Sequence, residues 1–371
     1  MPVQSRYGTL DALRGIAALG VVVFHLGQME LAPEVLPHGY LAVDFFFVLS
    51  GFIVAHAYEK ALRGPLTFWS FALRRAIRLY PLAVLGVVFG TALLLLKWCL
   101  YPGKVDALPV ILLSSAVNSL LLPMPFGGEV SHHVLFPGNG PLWSLFFELV
   151  VNLAWGACGV RLRTGALLVI VIAAGVGVAG LSWQAGTANL GFDTATAFAG
   201  AARVSFGFPL GVVLFRSMAL VEGRSPSWFN RGGGAIPGIL LLAIFAMPDS
   251  ASPLFFTAWD IASILVLLPL LVAFGSVQGD GSRLGNFLGE LSYPIYALHF
   301  PVLLFFSGLR QSILIHLPIP VITAAAAISA IATALLASRF YDIPLRAWLS
   351  RRARDHAGKR KELLSSGEAP I

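Results

Sequence analysis

Apolar runs close to twenty residues long recur from one end of this 371-residue chain to the other, and that feature decides most of what the chain can fold into. A run of that length, coiled as an α-helix, matches the hydrocarbon thickness of a bilayer. The runs fall at about 9–27, 39–58, 78–98, 105–122, 141–160, 165–182, 198–217, 235–248, 254–275, 290–309 and 318–338. Backbone polar groups in lipid must be satisfied within the segment itself, so the expected fold is an all-α, polytopic membrane helix bundle. Only 12% of the residues are charged, against roughly 25% in soluble domains. The runs use up nearly the whole length. The expected organisation is a membrane domain over 1–345, then a basic, disordered cytoplasmic tail over 346–371.

The net charge of +7 does not indicate a nucleic-acid partner, because the basic residues sit in short clusters at the ends of apolar runs, as positive-inside topology signals do. Lys60, Arg63, Arg74, Arg75 and Arg78 follow the second run. If that loop is cytoplasmic and segment 105–122 does not cross, then Arg161 and Arg163, Arg216, Arg224 and Arg231, Arg283, and the tail from Arg339 onward all fall inside. The facing loops 28–38, 123–140, 184–197 and 249–253 hold no Arg or Lys. Segment 105–122 also carries Ser114, Ser115, Asn118 and Ser119, which suit a re-entrant or surface-lying stretch better than a lipid-facing helix. About ten transmembrane helices are therefore expected, with both termini cytoplasmic in a cytoplasmic (inner) membrane. Cys99 and Cys158 are then near opposite faces and cannot pair, and no metal-ligand spacing is present.

Ionisable residues inside a span cost about 2.5–3.5 kcal/mol each on insertion scales, which makes them functional candidates. Arg14 and His25 in the first run lie on one helical face, roughly 16 Å apart along the axis, and Asp11 is placed to pair with Arg14. Ser144 and Glu148, four apart after Pro141, share a face in the outer half of their span, and Asp44 enters the second span from the same side. A His, a Ser and two carboxylates from three helices can thus meet in one cavity, where a neutral imidazole beside a carboxylate forms a general base. Arg75 and Arg78 present two guanidinium groups at the membrane surface, suited either to phosphate or to topology alone. Tyr293, Tyr296 and His299, at i, i+3 and i+6, either line a substrate channel or pack inside the bundle.

In combination these motifs resemble the acyltransferase-3 family of integral membrane acyltransferases. The resemblance rests on Leu10-Asp11-Ala12-Leu13-Arg14-Gly15 with His25 eleven residues after Arg14, and on Val43-Asp44-Phe45-Phe46-Phe47-Val48-Leu49-Ser50-Gly51-Phe52. It continues through Arg75-x-x-Arg78, Pro141-Leu142-Trp143-Ser144-Leu145 with Glu148, and the Tyr-rich segment ending at His299. It implies O-acyl transfer from acyl-CoA, with acetyl-CoA the expected co-substrate, to a hydroxyl of an extracytoplasmic glycan such as lipopolysaccharide or another polysaccharide, or of a lipid-linked sugar. No tightly bound cofactor and no metal are expected. On this reading the donor's nucleotide rests at Arg75 and Arg78 and its pantetheine arm passes Arg14. His25, oriented by Glu148 or Asp44, then takes the proton of the acceptor hydroxyl. Direct attack and an acyl-enzyme at His25 or Ser144 both stay open. The rival from another class is a transporter or flippase-like component of polysaccharide export, which would use the buried charges as an ion path.

Overall fold

The computed structural model describes residues 7–101, 103–124, 133–219, 235–248, 252–277 and 282–366. Arg224 and Arg231, counted above among the basic clusters, lie outside them. The described residues form thirteen α-helices in chain order: α1 (Gly8–Gln28), α2 (Ala42–Leu62), α3 (Phe68–Leu100), α4 (Leu108–Ser119), α5 (Leu142–Ala157), α6 (Thr164–Ala185), α7 (Ala197–Ala219), α8 (Ala235–Phe245), α9 (Pro253–Ala262), α10 (Leu268–Val277), α11 (Arg283–Ser312), α12 (Ile319–Ala337) and α13 (Ile343–Ser366). One-turn π segments, Ser263–Leu267 and Ser338–Asp342, join α9 to α10 and α12 to α13 without breaking either rod.

Eight of these rods are long and apolar enough to cross a membrane. The other three, α4, α5 and α8, have 12, 16 and 11 residues, or about 18, 24 and 16 Å. Helix direction shows which of the three cross. From one end to the other, α2 meets α7 through Asp44–Arg203, Gly51–Phe208, Val48–Gly211 and Glu59–Arg216, so the two run parallel. An odd number of crossings must separate them, and α3, α5 and α6 supply three. A crossing by α4 would make four and turn α7 over.

The course of α4 agrees. Gly90 meets Gly138, Arg75 meets Glu148 and Phe71 meets Gly156, so α3 and α5 are antiparallel neighbours and the chain between them leaves and returns at the same end. Against α3, α4 is held by Thr91 Oγ1 donating to Ser115 Oγ (2.7 Å) and Tyr80 Oη donating to the Leu120 carbonyl (3.0 Å). It dips alongside α3 and comes back, the re-entrant path expected for 105–122. Its backbone at that depth is tolerated because the helix satisfies its own polar groups, with Ile111, Ser114 and Asn118 buried against the bundle and Leu112 and Leu113 left exposed.

The same reasoning counts α8. In α1 and α11, Asp11 lies against Gly289, Arg14 against Ser292 and His25 against His299, so these helices are also parallel. Seven crossings must lie between them, and α8 is the seventh despite its length. Thr323 in α12 donates to the Leu31 carbonyl beyond the far end of α1, so α12 returns to the end where α1 began. Ten passes result among the described residues, with both ends of the described chain at one end of the bundle.

Close packing rather than hydrophobic drive holds such helices together, since lipid is as apolar as a side chain. A Cβ on Gly51 would lie 2.0 Å from the Phe208 carbonyl oxygen, and one on Gly211 would lie 2.0 Å from that of Val48. No larger residue fits at either site, so α2 and α7 meet backbone to backbone.

One expectation is corrected. The tail from Arg346, expected to be disordered, is helical as far as Ser366. Ala, Arg, Leu and Lys dominate it and are good helix formers, and α12 already supplies the nucleus that an isolated segment would lack. Arg346 pairs with Asp342 across the π segment (3.4 Å), and Arg352 lies over the Trp348 ring.

Candidate active site

Helices α1, α2, α3, α5 and α11 enclose a cavity of about 360 Å³. Seven of the residues expected at the site line it: Arg14, Arg75, Arg78, Ser144, Glu148, Tyr293 and Tyr296. His25, Asp44 and His299 do not.

Arg14 is fixed on three sides. Its Nη2 pairs with Asp11 (2.8 Å), as expected from their spacing, and donates to the Gly289 carbonyl (2.8 Å), while Nε donates to Ser292 Oγ (2.9 Å). Glycine at 289 is what lets the α11 backbone come so near, because a Cβ there would sit 2.8 Å from that of Asp11.

Glu148 lies deeper than expected. Its Oε1 accepts from Arg75 Nη2 (2.9 Å) and from Ser50 Oγ (2.8 Å), near the middle of α2 and the Arg14 level, not beside His25. Arg75, expected at the surface with Arg78, is itself 5% exposed. The two arginines are therefore not an equivalent pair, and only Arg78 is exposed, in the first half of α3 and at the mouth of the cavity.

At the far end Ser144 Oγ and Tyr296 Oη are 2.6 Å apart, and each hydroxyl also reaches the Pro141 carbonyl (3.0 and 3.1 Å). Pro141 cannot bridge an intrahelical bond from its own nitrogen, and its carbonyl serves instead to hold these two hydroxyls. Tyr293 Oη donates to the Leu79 carbonyl.

One helical turn beyond Tyr296, His299 is fully buried and stacks on His25, ring centroids 5.3 Å apart and planes 30° apart. His299 Nδ1 lies 2.8 and 2.9 Å from the Ile295 and Tyr296 carbonyls, so that nitrogen carries the proton and Nε2 is left with its lone pair and no partner among the described residues. His25 is half-buried, between His299, Phe24 and Phe300, and its ring nitrogens bond to nothing among the described residues. Neither expected carboxylate orients it.

Asp44 is engaged elsewhere. Arg203 of α7 clamps it with Nε to Oδ1 (2.9 Å) and Nη2 to Oδ2 (2.7 Å), while Nη1 donates to the Leu190 carbonyl (2.6 Å). Both side chains are 3% exposed. A second buried knot ties His38 Nδ1, Tyr40 Oη and the Ala188 amide to the carboxylate of Asp260 at 2.7–2.8 Å, joining two loops to α9. Arg203 and Asp260 both sit inside apolar runs, so the cost of a charge in a span pointed to them as it did to Arg14. Ser50 carried no such signal.

Among the described residues no group of three or more His, Cys, Asp or Glu is placed to hold a metal ion. Cys99 and Cys158 are both free and exposed, at the ends of α3 and α5 that point opposite ways.

A family model described as an acyltransferase domain, that of acyltransferase family 3, matches residues 7–339, a range that contains every motif quoted above. The protein named "Protein 2 in picA locus" of Rhizobium radiobacter is 40% identical over 167 residues, covering 42% of this chain and 84% of that protein. An O-acetyl transferase of Shigella phage Sf6 is 24% identical over 302 residues, 79% of this chain and 83% of its own length. Proteins from Staphylococcus aureus strains match at 43% over 91 residues, which is 24% of this chain but only 14% of theirs. No solved structure matches the chain. These relationships decide for the enzyme over the transporter or flippase reading. With nearly its whole length inside that family model and a bundle of membrane-spanning helices around a cavity that holds arginines, a glutamate and hydroxyls, this chain belongs to the acyltransferase-3 family and is a multi-pass membrane acyltransferase.

Proposed function

We propose that the chain is an O-acyltransferase that takes an acyl group, acetyl above all, from acyl-CoA on the cytoplasmic side and delivers it to a hydroxyl of a glycan or lipid-linked sugar on the other side. The observation that carries this reading is the cavity itself. It begins at an exposed guanidinium, Arg78, passes the half-buried Arg14 and the Arg75–Glu148 pair, and ends at the Ser144–Tyr296 hydroxyls. A cationic mouth leading to an interior that mixes apolar side chains with a few placed polar groups suits a long donor with phosphates at one end and a thioester at the other. The name of the phage relative, O-acetyl transferase, supports a hydroxyl as acceptor.

In this reading the pantetheine arm runs past Arg14 and Tyr296 to His25 and His299, one turn beyond the cavity. His25 removes the acceptor's hydroxyl proton, the oxygen attacks the thioester carbonyl, the C–S bond breaks, and the CoA thiolate takes up the proton from the imidazolium. His299 holds His25 by stacking. Ser144, bonded to Tyr296, keeps that tyrosine at the passage between the cavity and the histidines.

The donor site has a direct test in a titration of purified protein with acyl-CoA. Arg78→Ala should weaken binding roughly tenfold to hundredfold, the loss of one charge-assisted bond worth about 1.5–3 kcal/mol, and Arg78→Lys should restore only part of it. Unchanged affinity in Arg78→Ala would remove the donor from this mouth.

Orientation is tested separately, in a cysteine-free background. The positive-inside rule turns the end of α2 and the start of α6 toward the cytoplasm of the inner membrane, with both chain termini. Cysteine in place of Lys104 should react with an impermeant maleimide on intact cells. Cysteine in place of Gly64 should react only after lysis. The opposite pattern would invert the bundle and put the donor on the wrong side.

A further inference from the structure

A second recess, of about 710 Å³, opens where α2 ends, α6 begins and α7 ends. Lys60, Arg63, Arg161, Arg163 and Arg216 line it, with Glu59 as the one carboxylate among its lining residues. Glu59 is shared between Arg63 (2.8 Å) and Arg216 (3.0 Å). Lys60, Arg161 and Arg163 pair with no carboxylate among the described residues. Five cations against one anion leave four positive charges facing a single hollow.

Topology alone does not require this. A positive-inside signal needs basic residues on the correct face, but it does not need three segments, spread from Ala55 to Arg216 in sequence, to converge on one recess. The convergence is built. Arg216 reaches back from α7 to donate to the Leu162 carbonyl (2.9 Å), which holds the turn carrying Arg161 and Arg163 against the end of α2.

The recess is separate from the acyl-transfer cavity. Ile53, Val54, Ala57 and Tyr58 of α2 line the cavity, whereas Ala55, His56, Glu59 and Arg63 line the recess. At about 100° per residue these sets lie on opposite sides of the helix. Under the cationic rim the lining turns apolar, with Ala55, Leu162 and Phe215. A cationic rim over an apolar floor, at the ends of three membrane helices, matches a group that is anionic at its tip and greasy behind it.

We propose that this recess is a phosphate-binding site, distinct from the site of acyl transfer, and that the phosphate it takes belongs to an anionic phospholipid of the leaflet on that side. Guanidinium and ammonium groups bind phosphate oxygens by charge-assisted hydrogen bonds, and basic pockets between membrane helices recognise anionic headgroups in this way. A soluble phosphate would offer the same chemistry without the apolar part. The inference does not depend on the donor or acceptor proposed above.

The test uses the full chain in phosphatidylcholine nanodiscs, with phosphatidylglycerol or inorganic pyrophosphate as the probe. Phosphatidylglycerol should bind saturably. In the triple variant Lys60→Gln/Arg161→Gln/Arg163→Gln its apparent affinity should fall roughly tenfold or more. The charge-preserving triple Lys60→Arg/Arg161→Lys/Arg163→Lys should stay close to the parent, which separates lost charge from lost folding. If pyrophosphate binds and is lost in the Gln variant while phosphatidylglycerol does not bind, the phosphate site stands and its source is soluble. Equal binding of both probes by the parent and the Gln variant, or equal loss in both triples, would overturn it.

Discussion

Replacing His25 by alanine should lower acyl transfer by roughly 10²–10⁴-fold, the usual contribution of a positioned general base, while the purified protein unfolds at nearly the parent temperature. The reasoning starts from what His25 does not do. It is half-buried, and its ring nitrogens bond to nothing among the described residues, so its removal leaves no buried donor or acceptor stranded. What is lost is a ring stacked on His299 and the surface between Phe24 and Phe300, a modest packing term. The variant should also bind acyl-CoA about as well as the parent, since Arg78 and Arg14 are far along the cavity. The measurements are single-turnover transfer to the cell's glycan acceptor, thermal unfolding in detergent, and acyl-CoA titration. Substantial transfer by a stable His25→Ala protein would end its role as the base and leave Ser144 to be tried next as a nucleophile.

Asp44→Ala should have the opposite signature, a large loss of stability. Asp44 and Arg203 form a bidentate pair with 3% of each side chain exposed, and removing one member of a buried pair costs about 3–5 kcal/mol because the other charge is stranded. The double variant Asp44→Met/Arg203→Met should recover much of that loss, since it removes both charges and refills the space. Thermal unfolding of the purified variants measures both. If Asp44→Ala instead unfolds like the parent but fails to transfer acyl groups, Asp44 acts in the chemistry, as its place in the Val43–Phe52 motif suggested.

The two cases show what could be read in advance. Spans were legible because length and hydropathy act locally, and the re-entrant path of 105–122 was legible because serines and the balance of basic loops disfavoured a crossing. The Asp11–Arg14 pair needed only helical spacing. Partners across helices were a different matter. Glu148 and Ser144 share a face, but which neighbour each meets depends on the depth at which α3 and α11 pass, and no spacing within α5 encodes that. Arg75 and Arg78 look alike in sequence, yet a single ion pair 73 residues away draws one inside and leaves the other out. Arg203 could have been found, because a charge within an apolar run needs a buried partner. The helical tail was misjudged from its polarity, when its continuity with α12 was the stronger influence.

The partners of Arg14 lie 275 and 278 residues further along the chain, at Gly289 and Ser292 of α11. Chains are made and inserted from the N-terminus, so α1 enters the bilayer long before α11 exists. Until then Asp11 is the neutralising neighbour that its own helix provides, and the cavity has no fifth wall. The protein therefore spends most of its synthesis as an incomplete bundle, and the cavity gains its last wall only when the ninth pass supplies Ser292, Tyr293 and Tyr296. A chain that stops before α11 has an Arg14 without the Gly289 carbonyl and the Ser292 hydroxyl, and a cavity open on the side that α11 closes.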